Sequence, residues 1–321
     1  MSIVNIITNH TNGAGLQKDS LLLAKFIEER GHTVRKVMHT CEAAKRQSRE
    51  YRADVNFFLE LAPPGMLQNA KINVLVPNSE WWCDKTWGHL LYPRMRFNVV
   101  LCKTLDAFRI WGHKVGKGPC RFIGWEANDY YDPSIPREVS FWHACGKSET
   151  KNTAAVVEAW EKHRLPYRLD ISAFKECIVA FCKNKEAKNI YWKERWPEGA
   201  MPQQMNSHLF HLMPSKYEGY GMAINEGLGC GAVILTTNAP PMNQFSGIPQ
   251  ALTIRVNKVQ PVRAAQFNLV DVDDIARAAH QAANMPTEEL QRLSIEARQG
   301  YLKDRLYFRA ALPKVLEELG L

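Results

Sequence analysis

The sequence of 321 residues is long enough for two domains, and its 45% hydrophobic content can supply a buried core for each of them. These proportions exclude collagen-like, fibrous and disordered chains. Lys and Arg number 41 against 33 Asp and Glu, which gives a formal net charge of +8 and a pI of ≈ 9.0. The excess of positive charge favours an anionic partner but does not identify it.

Two further features concern the cellular environment. No stretch approaches the roughly 18 apolar residues of a membrane span, and the first residues, MSIVNIITNH, lack the pattern of a secretory signal. We therefore expect a soluble, cytoplasmic protein. The 8 cysteines are scattered without a C-x-x-C pair, so we expect thiols rather than disulfides or zinc ligands.

Strand-like and helix-like segments alternate through the first part of the chain. Residues 3–8 form a β-branched run, and residues 16–30 show apolar spacing typical of a helix that Gly31 ends. The same patterns predict strands at 33–38, 55–59, 72–77, 97–101 and 121–124, and helices at 42–49 and 104–111. Strands separated by helices indicate a parallel sheet, hence an α/β Rossmann-like domain.

The alternation restarts after a polar, turn-rich segment at 128–136, which we interpret as a candidate hinge. Strands are predicted at 139–144, 167–171, 189–195, 209–213 and 233–236, and helices at 153–163, 222–229, 273–283 and 287–298. We therefore predict two Rossmann-like domains, at 1–136 and 137–300. An amphipathic segment, 301–321, is expected to form a C-terminal helix that packs back on the first domain, with a bend at Pro313.

The loop after the predicted strand 209–213 combines acidic residues with glycines. Glu218 lies in the loop, and Glu226 lies a little over one turn into the following helix. Gly219 and Gly221 allow the backbone to approach a ligand, and a helix N-terminus offers N–H groups to an anion. Ligands of parallel sheets bind outside the carboxyl ends of the strands, where this loop falls. The alternative is an ordinary turn with two solvated carboxylates.

The segment from Glu218 to Glu226, with its glycines, resembles the E-x7-E signature of retaining GT-B glycosyltransferases, in particular family 4. The resemblance implies two facing Rossmann-like domains with a cleft between them, and a nucleotide-sugar donor, such as a UDP-sugar. Glu226 would bind the ribose and Glu218 the donor sugar. Gly219, Tyr220 and Gly221 would line the junction of phosphate and sugar.

A second resemblance lies at the start of the second domain, in FWHACGKSETKN. The family has a strand followed by G-R-x-x-x-x-K-G, whose two cations hold the diphosphate. Lys147 takes the place of the Arg and Lys151 that of the Lys, with one residue fewer between them and with Asn152 instead of the final glycine. Lysine can neutralise a phosphate without the bidentate geometry of arginine. The alternative is a solvated basic turn before a helix.

Two segments of the first domain are similar to family positions near the donor. Gly13 and Gly15 follow the first strand, as the family's glycine loop does, although such a pair also suits a simple helix start. Glu80 follows the strand 72–77, where many relatives have a His that contacts the donor sugar. We therefore treat Glu80 as a candidate sugar or acceptor contact.

The resemblance implies transfer with retention and without a required cofactor or metal ion. Lys147, Lys151 and the helix N-terminus would stabilise the departing diphosphate while the acceptor attacks the same face of the sugar. The D-x-D sequence at 271–273 begins an amphipathic helix, so we interpret it as helix capping rather than as a metal site.

The acceptor is predicted from the distribution of charge. Residues 85–121 contain eight cations and one acid, Asp106, with aromatic residues between them. The candidate polyanion-binding residues in this stretch are Arg94, Arg96, Lys103, Arg109, Lys114 and Lys117. They favour a nucleic-acid acceptor, such as a 5-hydroxymethyl-pyrimidine in DNA of the kind that some phages glycosylate.

Three alternatives stay open at this point. The acceptor could be a cell-surface or lipid-linked saccharide at an anionic membrane surface. The basic face could be solvated beside a small neutral acceptor. The protein could also be a non-catalytic module that binds a nucleotide sugar or nucleic acid. The sequence does not indicate an oligomeric state.

Overall fold

The computed structural model describes residues 1–11, 15–40, 49–91, 95–116, 119–146, 149–173, 189–194 and 201–321. The chain divides into two compact units. Unit 1 comprises Met1–Trp125, Pro261–Ala265 and Arg305–Leu321, and unit 2 comprises Glu126–Gln260 and Gln266–Asp304. The predicted helix at 42–49 lies almost wholly outside the described residues.

Unit 1 is built on a parallel sheet. Its strands are β1 (Ile3–Thr8), β2 (Thr33–Met38), β3 (Ala53–Leu59), β4 (Ala70–Val76), β5 (Val99–Cys102) and β6 (Cys120–Phe122). The strand order is β2-β1-β3-β4-β5-β6, and neighbouring strands are parallel. The ends of β3 and β4 are continuously buried, as expected of strands in a parallel sheet that is covered on both faces.

Unit 1 includes the helices α1 (Gly15–Glu28), α2 (Asp84–Trp87) and α3 (Leu105–Val115). Both α1 and α3 bury apolar residues, whereas no residue of α2 is buried. Thr104 begins α3 because its side chain accepts a hydrogen bond from the backbone N–H of Ala107 at 3.0 Å. Trp82 and Trp111 are fully buried, with ring centroids 4.9 Å apart, and contribute to the core beside α3.

Unit 2 contains a second parallel sheet. Its strands are β7 (Glu138–Gly146), β8 (Leu169–Ala173), β9 (Ile190–Glu194), β10 (His208–Met213) and β11 (Val233–Thr236), in the order β11-β10-β7-β8-β9. Every residue of β8 and β11 is buried. A separate two-stranded sheet joins β12 (Val256–Val262) and β13 (Ala265–Val270). This pair was not predicted, because much of β12 is polar and exposed.

The helices of unit 2 follow its strands. They are α4 (Thr153–His163), α5 (Met201–Ser207), α6 (Met222–Gly229), α7 (Val272–Ala283) and α8 (Thr287–Glu318). The last of these replaces two predicted helices, since Pro313 lies inside one continuous helix of 32 residues. Its residues from Arg305 onward belong to unit 1, where Phe308 packs against Trp125 at 5.0 Å between ring centroids.

The segment at 126–136 belongs to unit 2. Unit 2 therefore begins eleven residues before the domain start predicted at residue 137. Specific hydrogen bonds hold it there. The backbone N–H of Ala127 donates to Asn225 Oδ1 at 3.0 Å, and Asn206 Nδ2 donates to the Tyr130 carbonyl at 2.6 Å. Arg298 also pairs with Asp129 at 2.6 Å. These contacts connect the segment to unit 2, and its role as a hinge stays a prediction.

Each parallel sheet contains one place where successive connections run in opposite directions. In unit 1 this place lies between β1 and β3, and in unit 2 it lies between β7 and β10. Such switch points are where open α/β sheets bind ligands, outside the carboxyl ends of the strands. In the described part of the chain, no helix combines the length and apolar character required to cross a bilayer.

Candidate functional site

The loop between β10 and α6 is shaped by Gly221. The residue has φ of +101°, a conformation in which L side chains are strained, and an added Cβ would lie 3.0 Å from the Phe245 ring. Gly221 directly precedes α6 and has no side chain that could cap the helix. Tyr220 is buried, and its ring meets that of Phe245 edge-on at 5.3 Å. The loop therefore presents backbone rather than side chains at the helix N-terminus.

Glu218 and Lys151 form an ion pair at the switch point of unit 2. Lys151 Nζ lies 2.5 Å from Glu218 Oε1, with side chains 19% and 12% exposed. Ser215 Oγ also donates to Glu218 Oε1 at 2.6 Å. Lys151 follows β7 and Glu218 follows β10, which are neighbours in the sheet. The fold thus brings together residues from the two separate segments that the sequence analysis predicted to bind the donor.

The two loops that carry this pair are also joined through their backbones. The N–H of Lys216 donates to the Thr150 carbonyl at 2.8 Å. The segment after β11 adds a side-chain contact, since Thr237 Oγ1 donates to the Ser215 carbonyl at 2.7 Å. Glu226 lies in the second turn of α6 and is only 4% exposed. Lys147, the other predicted diphosphate ligand, lies outside the described residues.

His143 positions the loop after β7 and was missed by the sequence analysis. The ring is fully buried, which lowers the pKa of His143 to about 4. Its Nδ1–H donates to the Leu212 carbonyl at 2.7 Å, so Nε2 accepts from the Thr153 hydroxyl at 2.8 Å. A neutral imidazole therefore connects β7, β10 and the first residue of α4, two residues beyond Lys151. The available signal was a His inside an otherwise apolar strand.

The predicted glycine loop of unit 1 is only partly described. Gly13 lies outside the described residues, and Gly15 is the first residue of α1. Asp19, one turn further, is buried and accepts from Lys103 Nζ at 3.0 Å and from Trp125 Nε1 at 2.7 Å. Lys103 is 4% exposed, so it is not the surface cation expected of a polyanion-binding residue. The reason is that its position after β5 directs it into the buried end of the sheet, against Asp19.

The other candidate polyanion-binding residues are distributed as follows. Arg96 is exposed, Arg109 pairs with Asp106 at 3.1 Å, and Lys114 pairs with Asp84 at 2.6 Å. Arg94 and Lys117 lie outside the described residues. The local acids therefore offset part of the positive charge that the sequence count suggests, and the role of these residues in acceptor binding stays a prediction.

Glu80 lies in the turn after β4. Its carbonyl accepts a hydrogen bond from Arg263 at 3.1 Å, and the guanidinium of Arg263 lies 4.6 Å from the centroid of the neighbouring Trp81 ring. These contacts fix the backbone of the turn within unit 1. The proposed contact of Glu80 with sugar or acceptor stays a prediction.

The D-x-D sequence occupies the start of a helix, as expected. Asp271 is the residue before α7, although its side chain makes no capping hydrogen bond within the described residues. Asp273 pairs with Lys162 at 2.6 Å and with His163 at 2.8 Å. Among the residues with described positions, no group of three or more His, Cys, Asp or Glu could hold a metal ion. Independence from metal ions stays a prediction.

Comparison with known proteins identifies solved structures of similar fold. No family model matches the sequence, and no curated protein matches it in sequence. A solved glycosyltransferase from Rickettsia africae has a TM-score of 0.76 at 13% identity, covering 99% of this chain and 98% of that one. WaaG, a glycosyltransferase involved in lipopolysaccharide biosynthesis, has a TM-score of 0.68 at 13% identity, covering 99% of each chain.

A third similar structure is HepE from Anabaena, in complex with UDP and glucose, with a TM-score of 0.69 at 10% identity over 98% of this chain and 99% of that one. At these identities the similarity shows the fold. The expected fold class, an α/β GT-B fold with two Rossmann-like domains, is confirmed.

Proposed function

We propose that this protein is a glycosyltransferase that moves a sugar from a nucleotide sugar to an acceptor hydroxyl with retention of anomeric configuration. The observation that carries the proposal is the contact of Lys151 with Glu218, 67 residues apart in sequence. The pair lies outside the carboxyl ends of β7 and β10, at the switch point of the sheet. A cation and a carboxylate there suit a ligand that has both an anionic and a polyhydroxyl part.

The donor is assigned by matching these groups to its parts. Lys151, together with Lys147 and the N-terminus of α6, would neutralise the diphosphate. Glu218 would accept hydrogen bonds from the hydroxyl groups of the sugar, and Glu226 from those of the ribose. The backbone from Gly219 to Gly221 would lie along the junction between phosphate and sugar. Support for a UDP-sugar comes from the similar HepE structure, which contains UDP and glucose.

Catalysis would consist of orientation and stabilisation of negative charge. As the bond between sugar and diphosphate breaks, charge grows on the leaving phosphate, and Lys151 and the helix N–H groups would stabilise that charge. Binding energy from the ribose and diphosphate holds the anomeric carbon toward the acceptor hydroxyl. The departing diphosphate can receive the proton of that hydroxyl, so that attack and departure occur on the same face.

The proposal is tested with a panel of donors and acceptors. The protein is incubated with UDP-, GDP- and ADP-sugars and with neutral saccharides, a lipid-linked saccharide or DNA containing 5-hydroxymethylcytosine. Free nucleotide is quantified and products are weighed by mass spectrometry. We expect release of one nucleotide together with a glycosylated product.

Each of the other results contradicts a stated part of the proposal. If a nucleotide sugar binds and is never cleaved, the protein is a non-catalytic module. If none of the nucleotide sugars binds, the donor assignment is wrong. A product whose anomeric configuration, measured by NMR, is inverted relative to the donor would contradict retention alone.

A further inference from the structure

The switch point of unit 1 carries an acidic residue that no motif singles out. Glu60 directly follows β3, and its backbone N–H donates to the Val76 carbonyl at the end of β4, 2.9 Å away. Its φ is +72°, a left-handed conformation that is uncommon for a residue other than glycine. Strained residues of this kind concentrate at binding sites, where the surrounding structure maintains them. The conformation fixes a carboxylate at the edge of the sheet where ligands bind.

The Glu60 carboxylate is held by a neighbouring amide. Asn78, two residues beyond β4, donates from Nδ2 to Glu60 Oε2 at 2.7 Å. Burial raises the pKa of the Glu60 carboxyl, while this hydrogen bond and the charge of Lys103 oppose the increase. The side chain nevertheless keeps part of its surface exposed. Glu60 is therefore oriented by the protein and still accessible to a ligand.

Two polar atoms in the turn after β4 have no hydrogen-bond partner among the described residues. Asn78 Oδ1 and Ser79 Oγ are buried and make no hydrogen bond to any residue that the structure describes. Asn78 and Ser79 are 8% and 2% exposed. Buried polar groups are satisfied in the large majority of cases, since an unsatisfied one costs about 1–3 kcal/mol. The amide oxygen of Asn78 and the hydroxyl of Ser79, at the carboxyl edge of the sheet, suit a ligand that offers hydrogen bonds.

The charge at this edge determines which ligand fits. Lys103, a buried cation whose charge acts on Glu60, is paired with Asp19 at 3.0 Å, and both side chains are almost fully buried. The Glu60 carboxylate would therefore repel a phosphate group, while the charge of Lys103 is already offset by Asp19. Hydroxyl groups, in contrast, can donate to the carboxylate and to the amide oxygen and can exchange hydrogen bonds with a serine. The carboxylate, the amide oxygen and the serine hydroxyl together suit a neutral polyhydroxyl compound.

We propose that Glu60, Asn78 and Ser79 bind the hydroxyl groups of a neutral saccharide, which is the acceptor of the transfer. The identity of this saccharide as acceptor rests on the function proposed above, whereas its binding does not. The phosphates of a nucleic-acid acceptor, in contrast, would be repelled by the Glu60 carboxylate. The proposal therefore assigns acceptor specificity to hydroxyl recognition at the end of β3 and β4.

The binding is tested without any nucleotide sugar, on an array of neutral mono- and oligosaccharides and with hydroxymethylcytosine-containing DNA. Wild type is compared with Glu60→Gln, which removes the charge, and with Ser79→Ala, which removes an unpartnered hydroxyl. The matched control is Glu28→Gln, an exposed carboxylate at the end of α1, at the opposite edge of the sheet. The unfolding free energy of each variant is measured in urea.

We expect wild type and Glu28→Gln to bind a neutral saccharide with equal affinity. Glu60→Gln and Ser79→Ala should each lose affinity by about tenfold or more. Ser79→Ala should keep its stability, because the Ser79 hydroxyl makes no hydrogen bond with the described part of the chain. The proposal is overturned if only DNA binds, if no saccharide binds, or if both variants bind like wild type. A parallel loss of stability and binding in Ser79→Ala would also contradict it, since that result indicates a structural role.

The two proposals fail in different measurements. Calorimetric titration with UDP reports on the donor site of unit 2, and the array reports on the saccharide site of unit 1. Saccharide binding without nucleotide binding would refute the glycosyltransferase proposal and keep the saccharide site. Nucleotide-sugar cleavage without saccharide binding would support the glycosyltransferase proposal and refute the saccharide site.

Discussion

At the scale of single residues, Lys151 and Glu218 have opposite charges and separate proposed partners. Their contact at 2.5 Å keeps the ammonium at the loop edge rather than extended into solvent. Ser215 Oγ contacts the same carboxylate oxygen, at 2.6 Å. These contacts hold both side chains in one arrangement, which reduces the entropy that the proposed binding of a donor must overcome.

Removing the Lys151 charge should weaken donor binding. Charge-assisted hydrogen bonds contribute about 1.5–3 kcal/mol, so Lys151→Ala is expected to lose about ten- to hundredfold in affinity for UDP and in turnover. Lys162→Ala is the control, because Lys162 also pairs with an acid, Asp273 at 2.6 Å, but on the exposed end of α4. Titration calorimetry with UDP measures both. Equal affinities of the two variants would show that Lys151 does not contact the diphosphate.

A second test at the scale of single residues concerns the backbone conformation at Gly221 rather than a charge. Gly221→Ala should destabilise unit 2 by about 1–3 kcal/mol, because φ is +101° and the new Cβ would lie 3.0 Å from the Phe245 ring. Gly88→Ala is the matched control, since Gly88 has helical φ and its Cβ would make an ordinary contact at 3.8 Å. Unfolding in urea distinguishes them. A Gly221→Ala variant as stable as Gly88→Ala would mean that the loop can adopt another conformation.

At the scale of secondary-structure elements, a neutral histidine connects β7, β10 and α4. The pKa of His143 is lowered to about 4 by burial, and the pKa of the equally buried His211 to about 3. An unfolded histidine titrates near 6.5, so between pH 6.5 and 4 the unfolded chain binds protons that the folded chain does not. Stability is thus complete above pH 6.5 and decreases as the pH falls toward 4.

For His143 alone this loss amounts to about 3 kcal/mol, and it should be measurable as a pH-dependent free energy of unfolding between pH 7.5 and 4.5. His143→Gln should have a smaller pH slope, because glutamine does not titrate. His280→Gln, at an exposed histidine of α7, should keep the wild-type slope. A wild-type slope in His143→Gln would show that His143 is not kept neutral by the fold.

At the scale of the whole molecule, the end of the chain completes unit 1. Phe308 of α8 is fully buried, and its ring lies 5.6 Å from that of Phe26 and 5.0 Å from that of Trp125. Tyr307 of the same turn donates to the Phe122 carbonyl at 3.3 Å. Residues from the two ends of the sequence thus share one core, so the stability of unit 1 depends on the last residues of the chain.

Truncating this side chain should therefore be costly. Phe308→Ala is expected to lower the free energy of unfolding by about 3–5 kcal/mol, as for other large aromatic residues in cores. Leu306→Ala, two positions away at a side chain 69% exposed, should change it by less than about 0.5 kcal/mol. Thermal and urea unfolding give both values. Similar small losses in the two variants would show that Phe308 does not belong to the core of unit 1.

The sequence by itself determined the features that depend on residues close together along the chain. Apolar periodicity predicted most strands and helices, including β10 and α6, because pattern and burial repeat over a few residues. The loop from Glu218 to Glu226 was also apparent, since its glycines and acids lie within one strand-loop-helix unit. Charge counts, in contrast, suggested a basic surface from 85 to 121 without showing which cations are paired.

Only the tertiary structure decided which distant residues meet. The order β11-β10-β7-β8-β9 brings Lys151 to Glu218, and the order β2-β1-β3-β4-β5-β6 brings Asn78 to Glu60 and Lys103 to Asp19. The chain also returns, so that Phe308 joins Trp125. The physical reason is that a residue's partners and burial depend on strand order and on packing between segments far apart in sequence, which local patterns do not specify.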